Sequence, residues 1–343
     1  MFDPRRLLAA TSLIGLCAAG VASAAEVNVY SGRHYDTDEQ LYREFTEATG
    51  IRVNLIEGNA EELAERIRIE GANSPADVFI TVDAGRLYRA DQAGLFQPTQ
   101  SEILDAAIPA NLRHPDGHWF GFTTRMRVIY YNKETIDPAL AQTYEDLIRP
   151  ELAGEVCLRS GSNIYNLSLL SSLIEHHGEE EAQNWAAGIV ANFAREPEGG
   201  DTDQIRGVGT GECGVAVANH YYFARLMASD SEADQEVVRN TGIILPNQDD
   251  RGLHANISGA GVVATAPNPE NAVAFLEYLA SPAAQTYFIA GNNEFPTVSG
   301  VEFENPRLEE MGVMEARIDD IPVHLYGVHQ PLAQIIMDEV GWK

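Results

Sequence analysis

The chain has 343 residues and a formal net charge of −28, from 51 acidic against 23 basic side chains. Lysine is almost absent, with Lys133 and Lys343 alone. Nucleic-acid binding is excluded in practice, because phosphate contact needs clustered cations, whereas a cationic ligand meets no repulsion.

The first residues read as an export signal. Arg5-Arg6 is followed by apolar or small residues to Ala22, and Ala22-Ser23-Ala24 supplies a small-x-small cleavage site. The stretch is too short to span a membrane, so residues 1–25 are read as a cleaved signal peptide. Arg5-Arg6 fits either a twin-arginine signal or an ordinary Sec-type charged region. Cys17 follows Leu16 rather than a small residue, which argues against a lipid anchor. The mature chain of roughly 319 residues is expected to be soluble, periplasmic and large enough for two lobes.

Val27 to Tyr30 alternates as a strand does, and Ser31 to Asp36 is a turn. Thr37 and Gln40 form a capping box for a helix through Thr49. Ile51 to Ile56 is a second strand, Ala60 to Glu70 a helix, and Ala76 to Val82 a nearly all-apolar strand. This strand–helix–strand–helix–strand order predicts a doubly wound parallel sheet. Ligands bind such sheets at the carboxyl ends of strands, where the turn with His34 and Tyr35 and the segment Asp83-Ala84-Gly85 both lie. A short helix from Arg86 to Ala93 precedes one long extended run, Trp119 to Tyr131, which suits a crossover between lobes.

Thr143 to Leu147 reads as a short helix, Gly154 to Arg159 as a strand, and Ser160 to Asn163 as a polar loop. Ile164 to His176 is then helical, with Tyr165 in the first turn. Helices are expected over Glu181 to Phe193 and Asp201 to Val208. An apolar strand, Cys213 to Ala218, runs into Asn219, read as the N-cap of a helix that opens His220-Tyr221-Tyr222. Arg239 to Pro246 reads as a strand and Ser258 to Thr265 as a strand returning to the first lobe. Helices start at Asn268 and Ser281. The proline-rich tail after Glu294 reads mostly as loop, with a final helix from Leu332. The lobes are expected to comprise 26–122 plus 250–300 and 123–249 plus 301–343.

Enzyme signatures are missing: there is no Gly-x-Ser-x-Gly, no His-Glu-x-x-His and no phosphate-binding Gly-x-x-x-x-Gly-Lys. The chain is therefore read as a binding protein with no catalytic cofactor. Glu175-His176-His177-Gly178 reads as a solvated helix end rather than a metal site. Arg33 and Arg206 read as surface ion pairs. Cys157 and Cys213 survive export and sit on strands leading to candidate ligand loops. In an oxidising compartment such a pair is expected to bond, and the alternative is two buried free thiols. A bond would close a loop of about 57 residues and contribute ~3–4 kcal/mol.

What remains is a set of phenols at strand-end loops, Tyr35, Tyr165, Tyr221 and Tyr222, with His34 beside the first. One such tyrosine is ordinary packing. Four in corresponding places supply hard anionic oxygens, which suit a hard, highly charged cation such as Fe³⁺. Several motifs carry a resemblance: Ser31-Gly-Arg-His-Tyr35, Ser74-Pro-Ala-Asp-Val-Phe-Ile-Thr-Val-Asp-Ala-Gly85, Arg125-Met-Arg127-Val, Ser162-Asn-Ile-Tyr165-Asn, Ala218-Asn-x-Tyr-Tyr222 and Phe295-Pro-Thr-Val298. Together they resemble the periplasmic ferric-ion-binding proteins of ABC iron importers (the FutA/FbpA family, FutA-like branch).

The resemblance implies an α/β, two-lobed periplasmic-binding-protein fold of type II, each lobe a doubly wound sheet flanked by helices, with hinge crossover strands between them. It implies Fe³⁺ as transported ligand, Tyr35, Tyr165, Tyr221 and Tyr222 as its ligands, and His34 as a ligand used in some members. Some relatives place a glutamate where this chain has Val82, so no carboxylate ligand is expected there. Four phenolates with Fe³⁺ sum to −1, and Arg125 is the implied counter-charge behind the ligands. The expected partner is an ABC importer permease in the inner membrane, and a monomer is expected. The same fold binding a small organic or oxyanion solute is the alternative. An extracytoplasmic hydrolase is a further alternative without motif support.

Overall fold

The computed structural model describes residues 25–33 and 38–343. The export signal, His34, Tyr35 and the capping Thr37 lie outside the described residues. In chain order the first elements are β1 (Glu26–Ser31), α1 (Asp38–Thr49), β2 (Arg52–Glu57), α2 (Ala60–Glu70), β3 (Val78–Val82), α3 (Ala84–Gln92), α4 (Glu102–Ala107) and β4 (Phe120–Asn132). Next come β5 (Val156–Cys157), α5 (Ile164–His177), α6 (Glu179–Ala191), α7 (Asp201–Thr210), β6 (Val215–Asn219), α8 (His220–Met227), α9 (Glu232–Asn240) and β7 (Thr241–Ile244). Last are β8 (Ala255–Val262), α10 (Pro269–Leu279), α11 (Pro282–Asn292), β9 (Phe295–Pro296), α12 (Pro306–Glu310) and α13 (His324–Val340).

The strands follow the order β2-β1-β3-β8-β4-β6-β5, with β7 and β9 also pairing β4. β1 pairs in parallel with both β2 and β3, as the βαβ reading requires. β4 organises the rest. Its first half, Phe120 to Met126, pairs antiparallel with β8. From Arg127 onward it pairs with β6 and β7 instead. The long extended run is thus one strand shared by two sheets, and the partner change falls between Met126 and Arg127.

Both faces of each sheet are covered, so alternate residues feed different cores. In the first sheet Val27 and Val29 face Phe45, Phe275 and Leu276, while Tyr30 and Phe79 face Leu63, Leu87 and Trp119. In the second, Ile129 and Val217 face Leu170, Leu173 and Trp185, while Val128, Tyr130 and Ala218 face Ile205 and Phe223. This is the expected α/β architecture. Among the described residues no helix is long and apolar enough to cross a membrane.

The structure corrects the reading in several places. The tail is not mostly loop: α13 starts at His324, more than two turns before Leu332, and runs through Pro331. A proline inside a helix removes one N–H and crowds the carbonyl four residues earlier. Packing outweighs that penalty. Tyr326 fills the core around Trp119 and Ile257, and Ala333, Ile336 and Met337 fill the core around Trp185, so one helix ties both sheets together. A helix, α9, precedes β7 and takes in Arg239 and Asn240, which the sequence predicts as strand. Its only buried apolar residue is Val237, too little periodicity to read. The short helix expected over Thr143 to Leu147 is present as a 3-10 helix, Glu145–Ile148, whereas the strand expected over Gly154 to Arg159 is only two residues long, as β5.

Cys157 and Cys213 are bonded, with Cα atoms 5.8 Å apart. The bond ties the end of β5 to the approach to β6, its parallel neighbour, inside an apolar cluster with Ile205 and Val208. With 56 residues of separation, the Cys157→Ala/Cys213→Ala variant should lose about 4 kcal/mol of stability on the chain-entropy model, read as a lower urea midpoint at pH 7. Thiol counting on denatured, unreduced wild type should find none free among these two.

Candidate functional site

β5 and β6 are adjacent and parallel, so the helices that follow them start at the same end of the sheet. That juxtaposition brings Tyr165, in the first turn of α5, to Tyr221, in the first turn of α8. Their hydroxyl oxygens are 3.5 Å apart, longer than the usual O–H···O bond of about 2.7–2.8 Å. The ring of Tyr222 lies against that of Tyr221, centroids 4.4 Å apart. Asn163 caps α5 through the Tyr165 N–H at 3.0 Å.

Asn219 occupies the N-cap position of α8 but does not cap it, which corrects the sequence reading. Its amide is used sideways. The side-chain oxygen accepts from Arg127 Nη1 at 3.3 Å, and Nδ2 donates to the Tyr221 hydroxyl at 3.3 Å. The buried guanidinium therefore fixes which end of the amide faces the phenol. Arg127 also pairs with the buried Asp201 at 3.3 Å, as does Arg159 at 3.4 Å. Asp201 in turn accepts the Asn219 N–H at 2.8 Å.

Both guanidiniums lie over the Tyr165 ring, Arg127 at 5.8 Å and Arg159 at 5.4 Å from its centroid. Arg225 lies over Tyr221 and Tyr222 at 5.0 and 5.5 Å. Sequence reading missed Arg127, Arg159 and Arg225 as neighbours of the phenols. Their placement depends on which strands pair, and only the i, i+4 spacing of Tyr221 and Arg225 on one helix was available as a signal. Asp201→Leu leaves Arg127 buried without its partner. It should cost about 3–5 kcal/mol, checked by chemical denaturation.

Facing these tyrosines are the carboxyl ends of β1 and β3. A cavity of about 280 Å³ is lined by Gly32, Arg33, Val82, Asn59 to Glu61 and Arg86 on one side and by Tyr165 and Tyr222 on the other. Gly32 is needed for the close approach, since a Cβ there would stand 2.7 Å from that of Ala60. Glu61 bonds Arg86 at 2.7 Å. Burial works against its charge, but the Arg86 contact holds its pKa below the ordinary carboxylate value.

Behind the cavity runs a buried polar seam. Arg33, expected in a surface pair, is 3 % exposed, because its side chain reaches inward to Ser258 of β8 and to Glu294 beside β9. It pairs with Asp38 at 2.9 Å and Glu294 at 3.0 Å and donates to Ser258 Oγ at 2.6 Å. Arg206, pairing with Asp234 on the surface at 2.9 Å, is as expected. Arg125 is buried and donates to Ile257 O at 2.6 Å and Ser258 Oγ at 2.8 Å. Burial opposes the Glu294 charge, yet Arg33 and Arg125 keep its pKa below the usual range.

His220 joins the tyrosine pair to this seam. Its Nδ1 accepts the Met126 N–H at 3.1 Å and its Nε2–H donates to Asn293 O at 2.7 Å. Burial pushes its pKa down to about 4, so the ring is neutral. Asp83, at φ 80° after β3, accepts from Ser168 of α5, Asn256 of β8 and Gln330 of α13, linking the two sheets beside the cavity.

Residues 73–315 match the family model of bacterial extracellular solute-binding proteins. The chain is 52% identical over 324 residues to iron uptake protein A2 of Synechocystis sp., covering 94% of this chain and 91% of that protein. Among solved structures, FutA of Trichodesmium in complex with iron and citrate is 53% identical, with a TM-score of 0.89, covering 93% of this chain and all of that one. The ferric binding protein of Campylobacter jejuni is 42% identical, with a TM-score of 0.86, covering 92% and 100%. The family match, the identity over nearly the whole chain and the shared fold agree, and the chain belongs to the bacterial extracellular solute-binding proteins, in the FutA-like branch.

Proposed function

We propose that this protein is an extracytoplasmic carrier that captures Fe³⁺ through tyrosine phenolates between two lobes and delivers it, as a monomer, to the permease of an ABC importer. The observation that carries the reading is the clustering of Tyr165, Tyr221 and Tyr222, of which Tyr165 and Tyr222 line the cavity opposite the β1 and β3 ends. Tyr165 and Tyr221 are held close without a good mutual hydrogen bond, an arrangement suited to a cation shared between two oxygens. The named relatives, an iron uptake protein and an iron-bound FutA, support the same cargo.

The ligands in this reading are Tyr165, Tyr221 and Tyr222 from one lobe and Tyr35, with His34 beside it, from the other. The lobes are 26–122 plus 250–300 and 123–249 plus 301–343, closing about the point where β4 changes partners. Charge balance follows from the residues around the phenols. Four phenolates and Fe³⁺ leave −1, and the Arg127–Asp201–Arg159 triad carries +1 directly beneath Tyr165. Arg125 acts one layer further back, through Ser258 and Glu294.

Adding Fe³⁺ to the colourless iron-free protein should give a saturable visible band with one equivalent bound, because phenolate-to-ferric charge transfer absorbs visible light. A colourless protein that binds an organic or oxyanion solute in the same cavity would refute the proposal.

A further inference from the structure

A second constellation lies at the other end of α3 from the cavity. Asp91 stands near the C-terminus of α3. His114 and His118 flank the tight turn before β4, closed by the Gly117 N–H to His114 O bond of 3.0 Å and the His114 N–H to Trp119 O bond of 2.9 Å. The turn stacks the two imidazoles face to face, centroids 4.6 Å apart and 3° from parallel. The Asp91 carboxylate sits against both, with Oδ2 3.4 Å from His114 Nε2 and Oδ1 in contact with His118 Nδ1. One ligand atom from each of the three residues lies within 4.8 Å of the others. Among the described residues Asp91 pairs with no Arg or Lys, so the carboxylate faces only the imidazoles.

We propose that Asp91, His114 and His118 form a second metal site, separate from the tyrosine cleft, for a divalent borderline cation of the Zn²⁺ class. Two imidazoles and one carboxylate are a donor set for such ions, whereas calcium and magnesium take all-oxygen sites and soft cations take thiolates. One edge of the coordination polyhedron is already in place, while the direct Asp91–His118 contact has to open to admit an ion. A tetrahedral ion with bonds of roughly 2.0–2.1 Å has ligand–ligand edges of about 3.4 Å, the separation already present between His114 and Asp91. Both rings are partly exposed, which leaves a route for the ion and an outer position for water.

The site has a second built-in cost. His114 Nδ1 accepts the Asp116 N–H at 3.1 Å, and a metal on Nε2 obliges Nδ1 to carry the ring proton. The Asp116 amide must then turn away. Asp116 is on the exposed turn, and its carboxylate acts on His114 electrostatically, so it can accept a hydrogen bond from Nδ1–H as an outer partner. A bound ion would cross-link α3 to the turn that feeds β4 and stabilise the folded state by mass action.

The test is equilibrium dialysis of Zn²⁺ against the iron-loaded mature protein, with Asp91→Asn and His118→Gln run alongside. Ferric titration and circular dichroism serve as checks that both variants fold. Wild type should take up one saturable equivalent that both variants lose, and Zn²⁺ should raise the melting temperature of wild type alone. Because the difference between proteins is what is read, the result stands whatever fills the cleft. Equal Zn²⁺ uptake by all three proteins, or no saturable uptake by wild type, would overturn the proposal and leave the cluster as hydrogen bonds between α3 and the turn.

Discussion

Replacing Tyr221 or Tyr222 with Phe is expected to weaken ferric-ion binding by roughly a hundredfold or more, on the order of 3 kcal/mol, while the iron-free protein stays folded. Each change removes only a hydroxyl. The Tyr222 ring keeps its packing against Tyr221. The Tyr221 hydroxyl gives up a weak bond from Asn219 at 3.3 Å and a loose contact with Tyr165 at 3.5 Å, each worth about 1 kcal/mol. A ligand role predicts a large loss of binding without a matching loss of stability, and a packing role predicts the reverse. Ferric titration against a competing chelator, with thermal melts of the iron-free proteins, separates them.

Tyr144, well away from the strand-end loops in the sequence, is a poor control. It is buried, its hydroxyl donates to Arg127 O at 2.6 Å, and it accepts the His254 N–H at 3.0 Å, so Tyr144→Phe would destabilise on its own account. Tyr278, partly exposed and packed on Phe45 at 5.3 Å, is the better one, and Tyr278→Phe should bind iron like wild type. Acid should release iron in the same experiment, because protons compete with the metal for phenolate.

The iron-free protein is expected to lose stability steeply between about pH 6.5 and 4.5. Burial pushes the His220 pKa down to about 4 and, with the Arg127 and Arg251 charges adding to it, the His254 pKa to about 3. In the unfolded chain both titrate near ~6.5. Through this window the unfolded state binds more protons than the folded one, so stability falls as pH falls. The two together remove on the order of 5 kcal/mol by pH 4.5. His254 has no hydrogen-bond partner for either ring nitrogen among the described residues, and its ring rests on Tyr326 at 4.7 Å. His254→Leu should therefore fold, and roughly half of the acid-dependent loss should disappear. Urea midpoints of both proteins at pH 7, 5.5 and 4.5 check this, and parallel slopes for the two would contradict it.

How much of this was legible depends on whether a residue's role is local. The β1-to-β3 segment read correctly because Val27 and Val29 alternate and the 78–82 run is continuously apolar, signals that need no knowledge of the partner. The start of α8 and the tyrosines on it were also legible, from a strand running into an aromatic helix. The disulfide followed from export and parity. What the sequence hid is pairing across the fold. Arg33 looks like an ordinary surface charge until β8 is laid beside it, and nothing local puts Arg127 beside the phenols until β6 is paired with β4. Asn219 has the chemistry of a cap, and only Arg127 above it turns the amide toward Tyr221. Pro331 looks like a helix terminator, because the cores that hold α13 in place draw on residues distant in sequence, Trp119 and Ile257 on one side and Trp185 on the other. Asp91, His114 and His118 carry no recognisable spacing, since one of the three comes from a different element.

The most direct measurement is resonance Raman spectroscopy of the iron-loaded wild type, excited within its visible band. Phenolate ligation predicts strong enhancement of tyrosinate ring modes, reduced in Tyr222→Phe at equal iron loading. Loaded protein with no visible band, or a band whose excitation enhances no tyrosinate mode, would contradict the claim that tyrosines hold the iron.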